Sequence, residues 1–505
     1  MISAVSLRRE QRKMMFKKGK KATGETRLMI TLLFLFCGWV CLLGMGFVFA
    51  SEDESEYVPV EDPLVLAGLE EWRDAKFGLM MHWGPYSQWG VVESWSICSE
   101  DWIKRPEDHY EDYKRKYKKL PSTFNPVRFD PDKWAEAAEA AGMRYVVFTT
   151  KHHDGFCMFD TRTTEYRITG PGSAFASHPK ADVTRAIFES FRKRGLKTGA
   201  YFSKPDWNSE DYWWPYYATP DRHVNYDPAL HPERWRRFKD FTFRQIEELM
   251  TGYGPIDILW LDGAWVRPLK NMPDEFKDWA KKKEYNQDID MARIVAMARS
   301  HQPGLIVVDR WVSGPYENYL TPEQKIPEKP LSVPWESCIT MAEGWSYNKN
   351  HTYKPVRQLL HMLVDIVAKG GNFLLNIGPS PEGDWAAEAY DRLEGIGAWM
   401  AVNGEAIYKT RPVPPFKDGR VCLTGKKDGT VYLVYLAEEG RVDLPSVIRL
   451  SDYRPPEGSV LEFVGASGQL DWKPSGKGIE ITVPESIRRN PPCLHAWTVK
   501  VNLKD

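Results

Sequence analysis

Tyr145 to Phe156 reads YVVFTTKHHDGF, an apolar, β-branched run that stops abruptly on Lys151, His152, His153, Asp154 and Gly155. Its first half suits a strand buried on both faces, as in a parallel sheet. Its second half puts charge and two imidazoles where that strand leaves the core. Similar runs recur along the chain: FGLMMHWG (77–84), LKTGAYFS (196–203), DILWLDG (257–263), LIVVDR (305–310) and NFLLNIGP (372–379). Helix-period stretches separate them. One is DPDKWAEAAEAAG, with Asp130 placed to cap, Pro131 in the first turn and Gly142 just past the end. This alternation predicts an α/β fold, an irregular (β/α)8-type, TIM-like barrel. No GxGxxG or Walker loop follows any strand, which argues against a nucleotide-binding sheet.

Around the barrel the chain divides into three expected segments: a leader over 1–50, the barrel over 60–408, and a C-terminal β-sandwich over 415–505. The leader carries nine Lys and Arg residues before an uncharged apolar run from Leu28 to Ala50 that ends in VFA. That layout predicts a secretory signal cut after Ala50, hence a periplasmic or secreted protein, with a retained membrane anchor as the alternative. Without the leader's net +7 the whole-chain charge of −1 becomes −8, a poor match for nucleic acid. Cys37 and Cys41 lie in the leader, and the other five cysteines show no C-x-x-C spacing, so neither a disulfide framework nor a zinc module is expected. After the Pro-rich KTRPVPPFKDGR, read as a joint, VCLTGKKDGTVYLVYL predicts a hairpin turning at Asp428-Gly429 and opens the sandwich.

The predicted strands share polar residues at their C-terminal ends: His82 and Trp83, His152 and His153, Ser203 and Asp206, Asp262, Arg310, Glu336 and Asn376. In a barrel those ends converge on one face, where catalytic groups sit. Asp262 is the candidate nucleophile, a carboxylate at a strand mouth able to attack an anomeric carbon. Glu336 in VPWESC is the candidate acid/base, with Glu343 and Glu93 as rivals. Aromatic residues make up 13% of the chain, with 21 Trp, many of them beside polar groups, which suits stacking on sugar rings. Metal chemistry fits less well. The chain lacks H-E-x-x-H spacing, and on a regular strand His152 and His153 point to opposite faces. No G-x-S-x-G elbow supports a serine nucleophile.

KFGLMMHWG, KHHDGF, DILWLDG and GGNFLLNIGP, in that order, resemble the α-L-fucosidases of glycoside hydrolase family 29 over about Glu70 to Ile407. The resemblance implies an exo-acting, retaining fucosidase acting on fucosylated glycans without a metal or other cofactor. It implies Asp262 as nucleophile and favours Glu336 as acid/base. It implies His82, His152, His153 and Trp260 in the sugar pocket, with Tyr201 and Arg310 as further contacts and Trp83 and Trp345 as pocket aromatics. The chain departs from the family pattern in PYSQWGVVESWSICSEDW after HWG and in a long insertion from Arg267 to Asn286. Both departures bear on the leaving-group side. A barrel glycosidase for a related sugar such as L-galactose, or a silent carbohydrate binder, are the competing readings.

Overall fold

A computed structural model describes residues 54–502, apart from 101, 104, 106–108, 220, 272–284, 441 and 442. The leader with its expected cut after Ala50, and most of the insertion after Arg267, lie outside the described residues. Among the described residues, no helix is long and apolar enough to cross a membrane.

Seven parallel strands form the barrel wall: β1 (Phe77–Met81), β2 (Tyr145–Lys151), β3 (Lys197–Ser203), β4 (Ile258–Asp262), β5 (Ile306–Asp309), β6 (Glu336–Thr340) and β7 (Asn372–Asn376). Their order around the sheet is β5-β4-β3-β2-β1-β7-β6. Between β5 and β6 an irregular segment takes the place of an eighth strand. It bridges β5 at Val308 through Glu317, and it runs parallel to β6 through Leu320 with Trp335 and Glu323 with Cys338. Helices follow the strands in the expected places. The helix Pro131–Ala140 starts as its sequence demands, with the Asp130 carboxylate accepting from the Asp132 and Lys133 amides.

Side-chain alternation sorts each strand into two faces. Outward residues such as Leu79, Val146, Phe148, Leu261 and Leu375 join the helices in one large core. Inward residues, including Met80, Tyr145, Val147, Tyr201, Ile258, Trp260, Val308, Cys338 and Leu374, fill the barrel with a second cluster. The floor is tight. A Cβ at Gly78 would lie 2.3 Å from the Tyr145 ring, so β1 carries glycine there to let that phenol cross the interior.

The C-terminal module holds β8 (Arg411–Asp418), β9 (Val421–Gly425), β10 (Val431–Leu436), β11 (Val447–Leu450), β12 (Val460–Phe463), β13 (Trp472–Ser475), β14 (Gly478–Thr482) and β15 (Ala496–Asn502). They form a five-stranded antiparallel sheet, β12-β15-β10-β9-β8, and a three-stranded one, β11-β14-β13. Leu423, Leu433, Ile448, Ile479, Ile481, Trp497 and Val499 fill the space between them. Gly429, at φ 91°, makes the predicted hairpin turn between β9 (Val421–Gly425) and β10 (Val431–Leu436). The stretch read as a joint is instead an edge strand, β8 (Arg411–Asp418), whose prolines are tolerated because an edge leaves amides unpaired. Arg411 ties its start to the barrel through Glu70 and Asp74.

Candidate active site

Asp262 closes β4, and its side chain is 16% exposed at the C-terminal mouth of the barrel. Its Oδ2 accepts from the Tyr201 hydroxyl at 2.7 Å, and its Oδ1 accepts from the Gly263 amide at 2.7 Å and from Arg310 Nη1 at 3.3 Å. His153 Nε2 stands 3.7 Å from Oδ2. Burial alone would raise the carboxyl's pKa. Arg310, His153, the Tyr201 hydroxyl and the Gly263 amide outweigh it and hold the group ionised, well below the usual carboxylate range.

The KHHDGF turn delivers its histidines by breaking the strand. The β2–β3 register shifts between Thr149 and Lys151, and Gly155 takes φ 78°. Both imidazoles thereby reach one side, which a regular strand forbids. His152 Nδ1 pairs with Ser94 Oγ at 2.5 Å, and its ring stacks on Tyr201. His153 is boxed by Trp95, Trp207 and Trp265, with centroids 5.3, 5.0 and 5.2 Å away. The rest of the motif is scaffolding. Lys151 is buried against Asp206 and Gln245, and Asp154 accepts from the Tyr117 hydroxyl at 2.6 Å. A Cβ at Gly155 would fall 2.2 Å from Asp206 Oδ1.

His82, just past β1, pairs its Nδ1 with Asn376 Oδ1 at 2.8 Å, and its ring lies 4.9 Å from Trp345. Burial lowers the His82 pKa to about 4 and that of His153 to about 3, and drives His152 well below its usual value. All three rings are therefore neutral near pH 7, each with one N–H donor and one acceptor. Trp260 stacks on Tyr201 at 5.2 Å and forms the pocket's inner wall. Donor atoms of His152, His153 and Asp262 lie within 4.8 Å of one another, a spacing that would also fit a metal ion.

Two expected residues sit elsewhere. Trp83 follows His82 and so points to the opposite face. There its indole donates to the Ser380 carbonyl among Phe124, Phe129 and Trp134, as part of the core rather than the pocket. Glu336 begins β6 instead of ending a strand. It pairs in register with Asn372, the first residue of β7, at the end of the barrel opposite Asp262. Its carboxyl is fully buried beneath the inner cluster and accepts from Tyr145 at 2.5 Å and Tyr319 at 3.1 Å. Burial pushes its pKa up to about 7. A group sealed there cannot reach a leaving group, so Glu336 is a floor residue and not the acid/base.

The carboxylate that does face Asp262 is Glu323, in the irregular segment beside β6. Arg310 donates Nη2 to Glu323 while Nη1 reaches Asp262, so one guanidinium spans both acids. The Glu323 side chain keeps 21% exposure. Of the two rivals, Glu343 is exposed in the loop after β6. Glu93 is 3% exposed, with its Oε1 held by the Ser346 amide at 2.7 Å and its pKa pushed up to about 7 by burial. It anchors the Trp345 loop.

An ionised carboxylate at the mouth of a parallel barrel, walled by imidazoles and indoles and facing a second acid across an arginine, makes this protein a glycoside hydrolase. More narrowly, the chain belongs to the alpha-L-fucosidase family, whose sequence profile matches residues 47–405. Tissue alpha-L-fucosidase of Mus musculus is 29% identical over 86% of this chain and 92% of its own length. The Homo sapiens counterpart is 28% identical over 94% and 96%. Among solved structures, alpha-L-fucosidase isoenzyme 1 from Paenibacillus thiaminolyticus superposes with a TM-score of 0.68 at 27% identity, covering 88% of this chain and all of that one. The Thermotoga maritima alpha-fucosidase in complex with fucose gives 0.65 at 26% identity, covering 88% and 97%.

Proposed function

We propose that the protein is an exo-acting, retaining α-L-fucosidase that removes terminal α-L-fucosyl residues from oligosaccharides, polysaccharides or glycoproteins, with Asp262 as nucleophile and Glu323 as acid/base. The observation that carries the pairing is the shared Arg310 guanidinium. A retaining enzyme needs two carboxyls close together, about 5–5.5 Å apart, and one guanidinium bonded to both acids holds Asp262 and Glu323 on the same side of the mouth. Exo action follows from the packed interior. Tyr145, Trp260 and the other inward side chains close the barrel below Asp262, which suits a terminal sugar better than a chain running through.

In the first step an Asp262 oxygen bonds to C1 of the fucosyl ring as the glycosidic C1–O bond breaks, and Glu323 gives its proton to the departing oxygen. In the second, Glu323 as carboxylate takes a proton from water, whose oxygen bonds to C1 while the ester C–O bond breaks. Two inversions at C1 give net retention. The ring nitrogens of His82 and His152 left free by Asn376 and Ser94, with His153, supply hydrogen bonds to the sugar hydroxyls. Trp260 and Trp345 flank the ring. No metal or cofactor enters, and dialysis against EDTA leaves the rate unchanged under this reading. Secretion, with a signal cut after Ala50, is part of the same proposal and rests on the leader's charge and hydropathy layout.

Anomer-resolved NMR of the first product tests the mechanism. An aryl α-L-fucoside should release α-L-fucose ahead of mutarotation, and initial release of the β anomer would rule the mechanism out. Faster turnover of the matching α-L-galactoside would instead favour the related sugar.

A further inference from the structure

A line of aromatic rings leads from the catalytic carboxylate to solvent. His153 lies 3.7 Å from Asp262, the Trp95 ring stands 5.3 Å from His153, and the Trp102 ring lies 5.5 Å beyond Trp95. Trp102 is 49% exposed. A single exposed indole is ordinary protein surface and by itself points to nothing. The surroundings argue for a use. The Trp102 Nε1–H donates to Glu100 Oε2 at 2.8 Å, and Arg222 grips that carboxylate with two guanidinium nitrogens. The same guanidinium lies over Trp95 at 4.5 Å and Trp265 at 5.2 Å. The polar edge of the indole is thus satisfied and fixed, and what remains for solvent is apolar ring.

A pre-fixed ring loses little entropy when a ligand stacks on it. The loop after β3 braces the segment that carries Trp102, with the Ser99 hydroxyl donating to the Thr219 carbonyl. The position of Trp102 also suits the part of a glycan that lies outside the pocket. We infer that Trp102 is a binding platform for the leaving-group portion of the substrate, stacking on the apolar face of a pyranose in an oligosaccharide that carries the terminal fucose. This rests on the fucosidase reading. It predicts selectivity for oligosaccharides over fucosides with small leaving groups.

The test compares an α-L-fucosyl-oligosaccharide with α-L-fucosyl fluoride, which has no ring on the leaving side. In Trp102→Ala, kcat/KM for the oligosaccharide should fall roughly tenfold, the effect of losing one ring-stacking contact, while fluoride hydrolysis stays within about twofold. Trp102→Tyr should recover most of the loss. Equal losses on both substrates, no loss on the oligosaccharide, or no recovery by tyrosine would overturn the inference. Wild-type protein inert toward both would overturn the fucosidase reading and this inference with it.

Discussion

Asp262 and Glu323 come from different parts of the wall, one from β4 and one from the irregular segment beside β6, and Arg310 joins them through its two terminal nitrogens. The arrangement assigns a distinct consequence to each of the three residues.

Glu323→Ala removes proton donation, which a general acid supplies at roughly 10²–10⁴-fold. For an oligosaccharide, kcat/KM should fall within that range. Fucosyl fluoride, whose leaving group needs little protonation, should lose far less, and azide should restore turnover. The control is Glu336→Gln, which should show no such dependence on leaving group. If Glu336→Gln reproduces it and Glu323→Ala does not, the assignment is reversed.

Arg310 is the largest of the groups holding the Asp262 carboxylate ionised. Removing it in Arg310→Met raises that carboxyl's pKa, so the anion is lost at a higher pH. The acid limb of the kcat/KM profile, which reports the free enzyme, should therefore move upward. An unmoved limb with only a lower plateau would show that Arg310 binds substrate without tuning the nucleophile.

Glu336 bears on stability. Its folded-state pKa of about 7 lies above the ordinary 4.5, so between those values the native protein holds a proton that the unfolded chain has released. Its contribution is fully present below the unfolded pKa and is lost as pH rises through the folded one. Glu336→Gln keeps a neutral, hydrogen-bonding group, so its Tm relative to wild type should climb across about pH 4.5–7. Parallel Tm curves would contradict a buried, neutral carboxyl in the floor.

Gly155 tests the KHHDGF turn. An alanine there meets both a positive φ and the Asp206 carboxylate at 2.2 Å. Thermal unfolding of Gly155→Ala should show a loss of about 2 kcal/mol or more. Activity should fall at temperatures where the variant is still folded, because the turn carries both histidines. Unchanged Tm and activity would show that the turn is not constrained as described.

The barrel was legible in the sequence because its strands are buried on both faces and end in polar residues, a pattern independent of long-range detail. Asp262, His82, His152, His153 and Arg310 were legible as polar groups at or just past strand ends, whereas Tyr201, inside β3, came in only through the family resemblance. Glu336 misled because VPWESC looks like a strand end, whereas the strand starts there; position along a strand depends on register, which only pairing with β7 fixes. Glu323 gave no signal. It lies in TPEQK, thirteen residues after Arg310, held by isolated bridges and without strand periodicity. Trp83 was misplaced by adjacency to His82, where alternation of faces was the better guide. Ser94, which orients His152, belongs to the stretch that departs from the family pattern.

The central claim is that Asp262 forms the covalent fucosyl ester. Its most direct test is azide rescue of Asp262→Gly on an aryl α-L-fucoside, with the product's anomeric configuration read by NMR. The variant should lose nearly all activity, and added azide should restore turnover while giving β-L-fucosyl azide, since azide then attacks once from the face that Asp262 occupied. Near wild-type activity in the variant without azide would contradict the account, as would a rescued product of α configuration.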